Sequence, residues 1–415
     1  MDASDFPTAQ DLFPAGREAA LKRLGEFVPS AGRTYAAERN ADPGPGRQPN
    51  VSMLSPYVRH RILSEREIVA AVLEQHTAEQ AEKFIQEVFW RTYWKGWLQM
   101  RPQVWRDFLA ERDGDRERIE ANAGLSRALA EAESGRTGIE CFDDWAHELV
   151  TSGYLHNHVR MWFASIWIFT LKLPWALGAD FFLRHLLDAD PASNTLSWRW
   201  VAGIQTRGKT YLARPDNIEK YTNGRYRPTG LAQVAEPIRD EAPYERQPLE
   251  TLPEPPAGQA ALLLVHGDDL GARFVPDRGL DLRGAVIACQ GHAQNPWPFG
   301  DKARAFVAEA CQDAAQGLGH ALNVEMEVAA SLDAESIIKH ARRLGVDTVV
   351  TPEAPVGPLA DGLARLGDEL DHSGLALYRL RNDWDARAWP YATKGFSPFK
   401  KNIPALLVEA GLVAH

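Results

Sequence analysis

Between Thr137 and Trp200 the chain sets His156, Asn157, Arg160, Asp188, Asp190 and Asn194 into a run otherwise rich in Trp, Phe and Leu. Ionisable and amide groups in apolar surroundings are costly unless they are paired or hydrogen-bonded. They either satisfy one another, as an Arg160–Asp188 ion pair would, or wrap a polar ligand, and this mix of charges and amides favours the ligand. Two further stretches carry matching chemistry. In VSMLSPYV, Val51 to Val58, Ser52 and Ser55 flank Leu54 just before a helical pattern. Hydroxyls and free N–H groups at a helix start can hold a phosphate; plain N-capping is the alternative. In AEKFIQEVFWRTYWKGWLQ, Ala81 to Gln99, one helical stripe holds Phe84, Val88, Arg91 and Lys95, and a neighbouring one holds Glu87, Trp90 and Trp94. A helix apolar nearly all round is buried or lines a pocket, with Trp90 and Trp94 as ordinary core in the first case.

The elements that must position these residues are helical as far as residue 235. A short helix is expected over Glu18 to Phe27, followed by a Gly- and Pro-rich turn region from Tyr35 to Gln48. Ser64 and Glu67 form a capping-box pattern, and residues 107–135 read as a charged, solvated helical pair. The Thr137–Trp200 stretch reads as helices broken at Pro174 and around Asp190-Pro191. Arg207 to Gly230 is locally basic, and residues 236–258 have the Pro- and Glu-rich composition of a linker.

After residue 258 the pattern changes to short apolar runs alternating with amphipathic ones. ALLLVHG (Ala261 to Gly267), GAVIACQG (Gly284 to Gly291), ALNVEMEVA, VDTVVTPEA and LALYRL read as strands. KARAFVAEACQDAAQGLG, with a Gly stop, AESIIKHARRLG and GPLADGLARLGDELDHSG read as helices. Such alternation predicts an α/β doubly wound, Rossmann-like domain over residues 259–415. Neither G-x-G-x-x-G nor G-x-x-x-x-G-K-[ST] follows its first strand, and VHGDDLG is not a dinucleotide loop, so no motif names its ligand.

Bulk properties bound the function classes. A chain of 415 residues suggests two domains, and a 45% hydrophobic, 25% charged composition is that of a soluble globular protein. No apolar run is long enough for a membrane span, and the acidic start MDASDFPTAQDLF lacks the form of a signal peptide, which places the protein in the cytoplasm. Cys141, Cys289 and Cys311 are too few and too scattered for a thiolate metal centre, so no metal is expected. A net charge of −10 argues against a surface coated for nucleic acid but leaves room for a local basic groove. Ten of the 13 Trp precede residue 201, which assigns any aromatic chemistry to the first half.

The first half resembles the flavin-binding domain of the photolyase/cryptochrome family, over about 180 positions from Tyr35 to Tyr211. The resemblance is carried by Ser52-Met53-Leu54-Ser55, by Glu87, Trp90 and Arg91, by Gly153-Tyr154-Leu155-His156-Asn157 with Arg160-Met161, by Asp188, Asp190 and Asn194, and by Trp198 and Trp200. It implies bound FAD, with Tyr35 and Ser52, Met53, Leu54 and Ser55 at the pyrophosphate, Phe84 among the cofactor contacts and Arg91 near the phosphates. Arg160 and Asp188 would pair beside the isoalloxazine, Asp190 would contact the ring or the ribityl chain, and Asn194 would face flavin N5. Glu87, Asn157, Trp90, Met161 and Trp200 would line a cavity for a flipped pyrimidine dimer, with Glu87 and Asn157 stabilising the added charge.

Trp198 and Trp175 match the inner members of the family's electron relay, and the outermost position falls at Asn122. Other departures are Val51 at the head of the phosphate turn, His158 after the His-Asn pair and Leu196-Ser197 before the inner Trp. The α/β half, closing with WPYATKGFSPFKKNIPALL (Trp389 to Leu407), is similar to the family's antenna domain, here placed after the flavin domain; its alternative is an unrelated domain that packs for stability. The antenna chromophore is not assigned. The resemblance implies a photolyase-type lyase that repairs pyrimidine dimers in damaged DNA by blue-light-driven electron transfer. The rival reading is a cryptochrome-like light or redox sensor with a signalling protein partner and no repair.

Overall fold

The computed structural model describes residues 6–239, 242–290 and 299–414. Gly291, at the end of the second expected strand, and Asp240 and Glu241, in the expected linker, lie outside them. The helical half begins with Arg17–Phe27, close to the expected helix, and continues through Arg33–Glu38, Ser55–Arg59, Glu65–Leu73 and Glu82–Gln99. Ser64 caps Glu65–Leu73 through the reciprocal bonds of a capping box with Glu67. The charged stretch forms Gln103–Glu120 and Ala123–Glu133, the second capped by Asn122.

The Thr137–Trp200 stretch divides into Glu140–Ser152, Asn157–Ser165, Trp175–His185 and Pro191–Val201. Besides the expected breaks at Pro174 and Asp190, it breaks at Gly153, which takes a left-handed conformation (φ 66°) and ends Glu140–Ser152. A π-helical turn, Ile166–Thr170, prolongs Asn157–Ser165. Gly178 is demanded by packing: a Cβ there would lie 2.3 Å from Trp198 Cη2.

The second half is a five-stranded, all-parallel sheet of β1 (Ala260–His266), β2 (Asp281–Gln290), β3 (Met326–Ser331), β4 (Thr348–Pro352) and β5 (Ala376–Leu380), in the order β3-β2-β1-β4-β5. Asp301–Leu322, Ala334–Leu344 and Pro358–Asp371 supply the crossover helices. The expected doubly wound fold is therefore present. Two local expectations are corrected. Asp301–Leu322 runs through Gly319 and stops at left-handed Asn323 (φ 52°). Gly319 makes room for β3, since a Cβ there would approach Met326 Cγ to 2.9 Å. As a result β3 starts later than ALNVEMEVA suggests.

Alternation along β1 explains how the halves join. Leu262 and Leu264 face a core with Ile337 and Leu366, whereas Leu263 and Val265 share a core with Phe306, Tyr57 and Phe89. The chain's last segment also returns to the helical half. Trp384 stacks on Phe89 at 4.7 Å and donates its Nε1–H to Thr92 Oγ1 at 2.9 Å, and Phe396 stacks on Trp90 at 3.7 Å. A Cβ at Gly96 would meet the Trp389 ring at 2.7 Å. The exit segment thus packs against Glu82–Gln99.

Candidate functional site

A cavity of about 540 Å³ opens in the helical half. Most of its lining comes from five segments: Arg33–Glu38, the 51–55 turn, Glu82–Gln99, Asn157–Ser165 and the 186–201 stretch. Tyr35, Ser52, Met53, Leu54, Ser55, Phe84, Arg91, Asn157, Arg160, Asp188, Asp190 and Asn194 all line it, as do Glu87, Trp90, Met161, Trp198 and Trp200. Trp175 does not. It lies behind the wall, buried, with its Nε1–H donated to Glu111 Oε1 at 2.8 Å. Both stripes of Glu82–Gln99 reach the cavity, except that Lys95 turns inward.

The acid pair sits on the short loop between Trp175–His185 and Pro191–Val201. Arg160 Nη1 donates to Asp188 Oδ2 at 3.0 Å, while Asp188 Oδ1 is buried without a hydrogen-bond partner among the described residues. Burial pushes this carboxyl up, but the Arg160 and Arg91 guanidiniums outweigh it and hold it below the usual range; Ser55 lies beside it, outside hydrogen-bonding geometry. Asp190 accepts from Arg91 Nη1 at 3.3 Å and lies 3.8 Å from Lys95 Nζ, and its other oxygen caps Pro191–Val201 through Ser193 N at 2.8 Å. Against its burial, Lys95, Arg91 and Arg59 bring it down to about 2. Both carboxylates are therefore ionised at neutral pH. Arg91 and Arg160, at 14% and 22% side-chain exposure, remain in part open to the cavity.

Asn194 is fixed by its Nδ2–H bond to Ala179 O at 2.8 Å. Glu87 is ion-paired with Arg39; burial raises its carboxyl and Arg39 opposes that. Met53 holds a left-handed backbone (φ 49°), a costly conformation for a residue with a Cβ, in the turn that presents Ser52 and Ser55. Trp90 has Phe396 on one face. Trp198 packs edge-on against Phe182 at 5.1 Å and Trp167 at 6.2 Å.

Sequence reasoning missed Arg39, Tyr154, Phe182 and Ser193 among the lining residues. Arg39 carried no signal, because its partner Glu87 lies 48 positions away. His158 is turned into the structure. Its Nδ1 meets Asn40 O at 2.9 Å, its Nε2 meets the Tyr211 hydroxyl at 3.1 Å, and its ring stacks on Trp162. Arg199, just before the basic stretch, is not a surface cation: it is 2% exposed, between the Trp175 and Tyr244 rings.

The residues present fit a flavin dinucleotide. The partly open guanidiniums match phosphate charge. Asp188 Oδ1 and Ser193 Oγ, on residues of the cavity wall, are buried polar atoms with no hydrogen-bond partner among the described residues.

Comparison with known proteins finds similarity over about half of the chain. Residues 84–226 match the FAD binding domain of DNA photolyase. A protein named deoxyribodipyrimidine photo-lyase, from Alkalihalophilus pseudofirmus, is 31% identical over 208 residues, 49% of this chain and 41% of its own. The chloroplastic/mitochondrial cryptochrome DASH of Oryza sativa is 27% identical over 214 residues, 50% of this chain and 36% of its own. Among solved structures, a bacterial class III photolyase from Agrobacterium tumefaciens is 26% identical, with a TM-score of 0.43 over 52% of this chain and 46% of that one. The chain spans less than half the length of the curated relatives it matches.

Proposed function

We propose that this chain, which carries a photolyase-type FAD-binding domain over residues 84–226, holds FAD in its cavity and splits pyrimidine dimers in damaged DNA. The observation that carries the reading is the convergence on one cavity of two ionised carboxylates, two partly open guanidiniums and a tryptophan-lined wall. We assign the helical domain to residues 1–235, the linker to 236–258 and the α/β domain to 259–415, and we place the protein in the cytoplasm. Among the described residues no helix is long and apolar enough to cross a membrane.

FAD held there would supply blue-light-driven electron-transfer chemistry. The protein's part is binding, orientation and exclusion of water. Arg91 takes cofactor phosphate charge, with the Ser52–Ser55 turn and Tyr35 beside it. The Arg160–Asp188 pair and Asp190 fix the ring side, and Asn194 presents an amide there. Trp90, Trp200 and Met161 receive the flipped bases by stacking, while Glu87 and Asn157 meet their polar edges. Trp198, in the cavity wall, and Trp175, behind it, would be the inner stations of an electron path toward bound flavin.

An oligonucleotide containing a cyclobutane thymine dimer, incubated with the protein in blue light and in darkness, tests this. Dimer loss in light alone is expected, slowed in Glu87→Ala by roughly 1–3 kcal/mol in the barrier. A flavin-loaded protein that repairs nothing would move the assignment to a light or redox sensor. That second reading draws on the Glu87–Arg39 pair and the inward-turned His158, which leave fewer polar groups free for a DNA lesion.

A further inference from the structure

In a doubly wound sheet, ligands bind at the carboxyl ends of the strands where the order reverses, here between β1 and β4. On the β1 side of that crevice the protein's own Arg59-His60-Arg61 is seated against the loop after β1. Arg59 Nη1 meets Asp268 Oδ1 at 2.6 Å, and Arg61 Nη1 donates to Asp269 Oδ2 at 3.2 Å. His60 Nδ1 contacts Gly267 O at 2.5 Å, and the Leu270 N–H donates to His60 O at 2.9 Å. A Cβ at Gly271 would lie 2.7 Å from Arg61 O, so the Gly-rich VHGDDLG loop accommodates this segment. On the β4 side, Gln99 donates to Glu353 Oε1 at 3.4 Å and accepts from the Val356 N–H at 3.0 Å.

The same plug reaches the cavity. Arg59 Nε donates to Ala189 O at 2.7 Å, between Asp188 and Asp190, and His60 Nε2 lies 3.3 Å from Leu187 O. Arg59 and His60 are 5% and 7% exposed, so these bonds form away from solvent and hold the loop in a fixed place.

We propose that the α/β domain is a clamp on the cofactor cavity: its strand-end crevice takes the Arg59–Arg61 segment where related sheets take a ligand, and thereby sets the Leu187–Asp190 loop for cofactor binding. Arg59, His60 and Asp268 are then positioning residues. The inference rests on the flavin reading of the cavity.

The test is FAD titration of the cofactor-free full chain. Asp268→Asn is expected to weaken FAD binding about tenfold, within the usual range of coupling between linked sites. Val286→Ala, a core truncation in the same sheet away from the plug, is expected to lower stability and leave the Kd unchanged. Hydrogen exchange of the parent is the second readout and needs no variant: FAD is expected to slow exchange at 59–61 and 267–270 as well as at 187–190. A tenfold loss confined to Asp268→Asn supports the clamp. An unchanged Kd in Asp268→Asn, an equal loss in Val286→Ala, or exchange at 267–270 indifferent to FAD overturns it. A parent that binds no FAD removes the flavin reading and the clamp together, whereas a parent that binds FAD with an indifferent Asp268→Asn removes the clamp alone.

Discussion

Replacing Asp190 by Asn separates its charge from its capping role. The carboxylate lies 3.3 Å from Arg91 Nη1 and 3.8 Å from Lys95 Nζ, and Lys95 is 2% exposed with no hydrogen-bond partner among the described residues. Asn caps a helix about as well as Asp, so the bond to Ser193 N survives and only the charge is lost. Breaking a buried pair by removing one partner costs roughly 3–5 kcal/mol. Lys95 sets a ceiling, because it can shed its proton instead. Relative to an unfolded value of 10.5, neutralising it costs about 5 kcal/mol at pH 7 and under about 1 kcal/mol at pH 10.

Glu65 and Asp385 still face Lys95 in the variant and Arg61 still repels it. We therefore expect Asp190→Asn to lose about 3 kcal/mol at pH 7 and less at pH 10, where the Lys95 share fades while the loss to Arg91 and Arg59 persists. The sign follows from Lys95: burial and Arg61 already lower its pKa, losing the Asp190 charge lowers it further, and the added mismatch with the unfolded chain fades as pH rises toward 10.5. Asp190→Ala should add about 1 kcal/mol at both pH values, the worth of the cap. Urea unfolding of cofactor-free protein, each variant against the parent at the same pH, reads these differences. An Asn penalty below about 1 kcal/mol at pH 7, or one that does not shrink by pH 10, would refute the reasoning.

Acid should weaken the fold through two buried histidines. Burial, with Arg59 beside His60 and with His158 and Arg160 beside His156, brings each imidazole down to about 4 from 6.5. The unfolded chain thus binds more protons between those values, and stability falls as pH drops from 6.5 toward 4, by about 1.4 kcal/mol per pH unit for each residue. Denaturant midpoints that stay level from pH 6.5 to 5 would contradict this. Gly178→Ala should destabilise by about 1–2 kcal/mol despite the better helix propensity of Ala, because the methyl meets the Trp198 ring at 2.3 Å. Near-UV circular dichroism should show Trp198 displaced, and a variant as stable as the parent with an unchanged tryptophan signal would count against the packing argument.

Much of the cavity was legible because its residues are written in local patterns. Asp188, Asp190 and Asn194 fall on one loop and the helix start after it, and Glu87, Trp90 and Arg91 fall on one helix. The capping box at Ser64 and the alternation of strands and helices were readable for the same reason. What stayed hidden was long-range pairing. Nothing near Arg61 announces Asp269, 208 positions away, or Asp385, 324 away. Gly319 reads as a helix stop, yet it serves the close approach of β3, which only the folded sheet reveals. Likewise the last segment reads as the close of the α/β half, and its contacts with Glu82–Gln99 through Trp384 and Phe396 span about 300 positions that no local pattern carries.

The most direct measurement of the central claim is equilibrium titration of the cofactor-free chain with FAD, followed by flavin absorbance and fluorescence and repeated with Arg160→Ala. The cavity predicts saturation at one FAD per chain and marked weakening in the variant. A chain that binds no FAD, or that binds it as well without Arg160, would contradict the account.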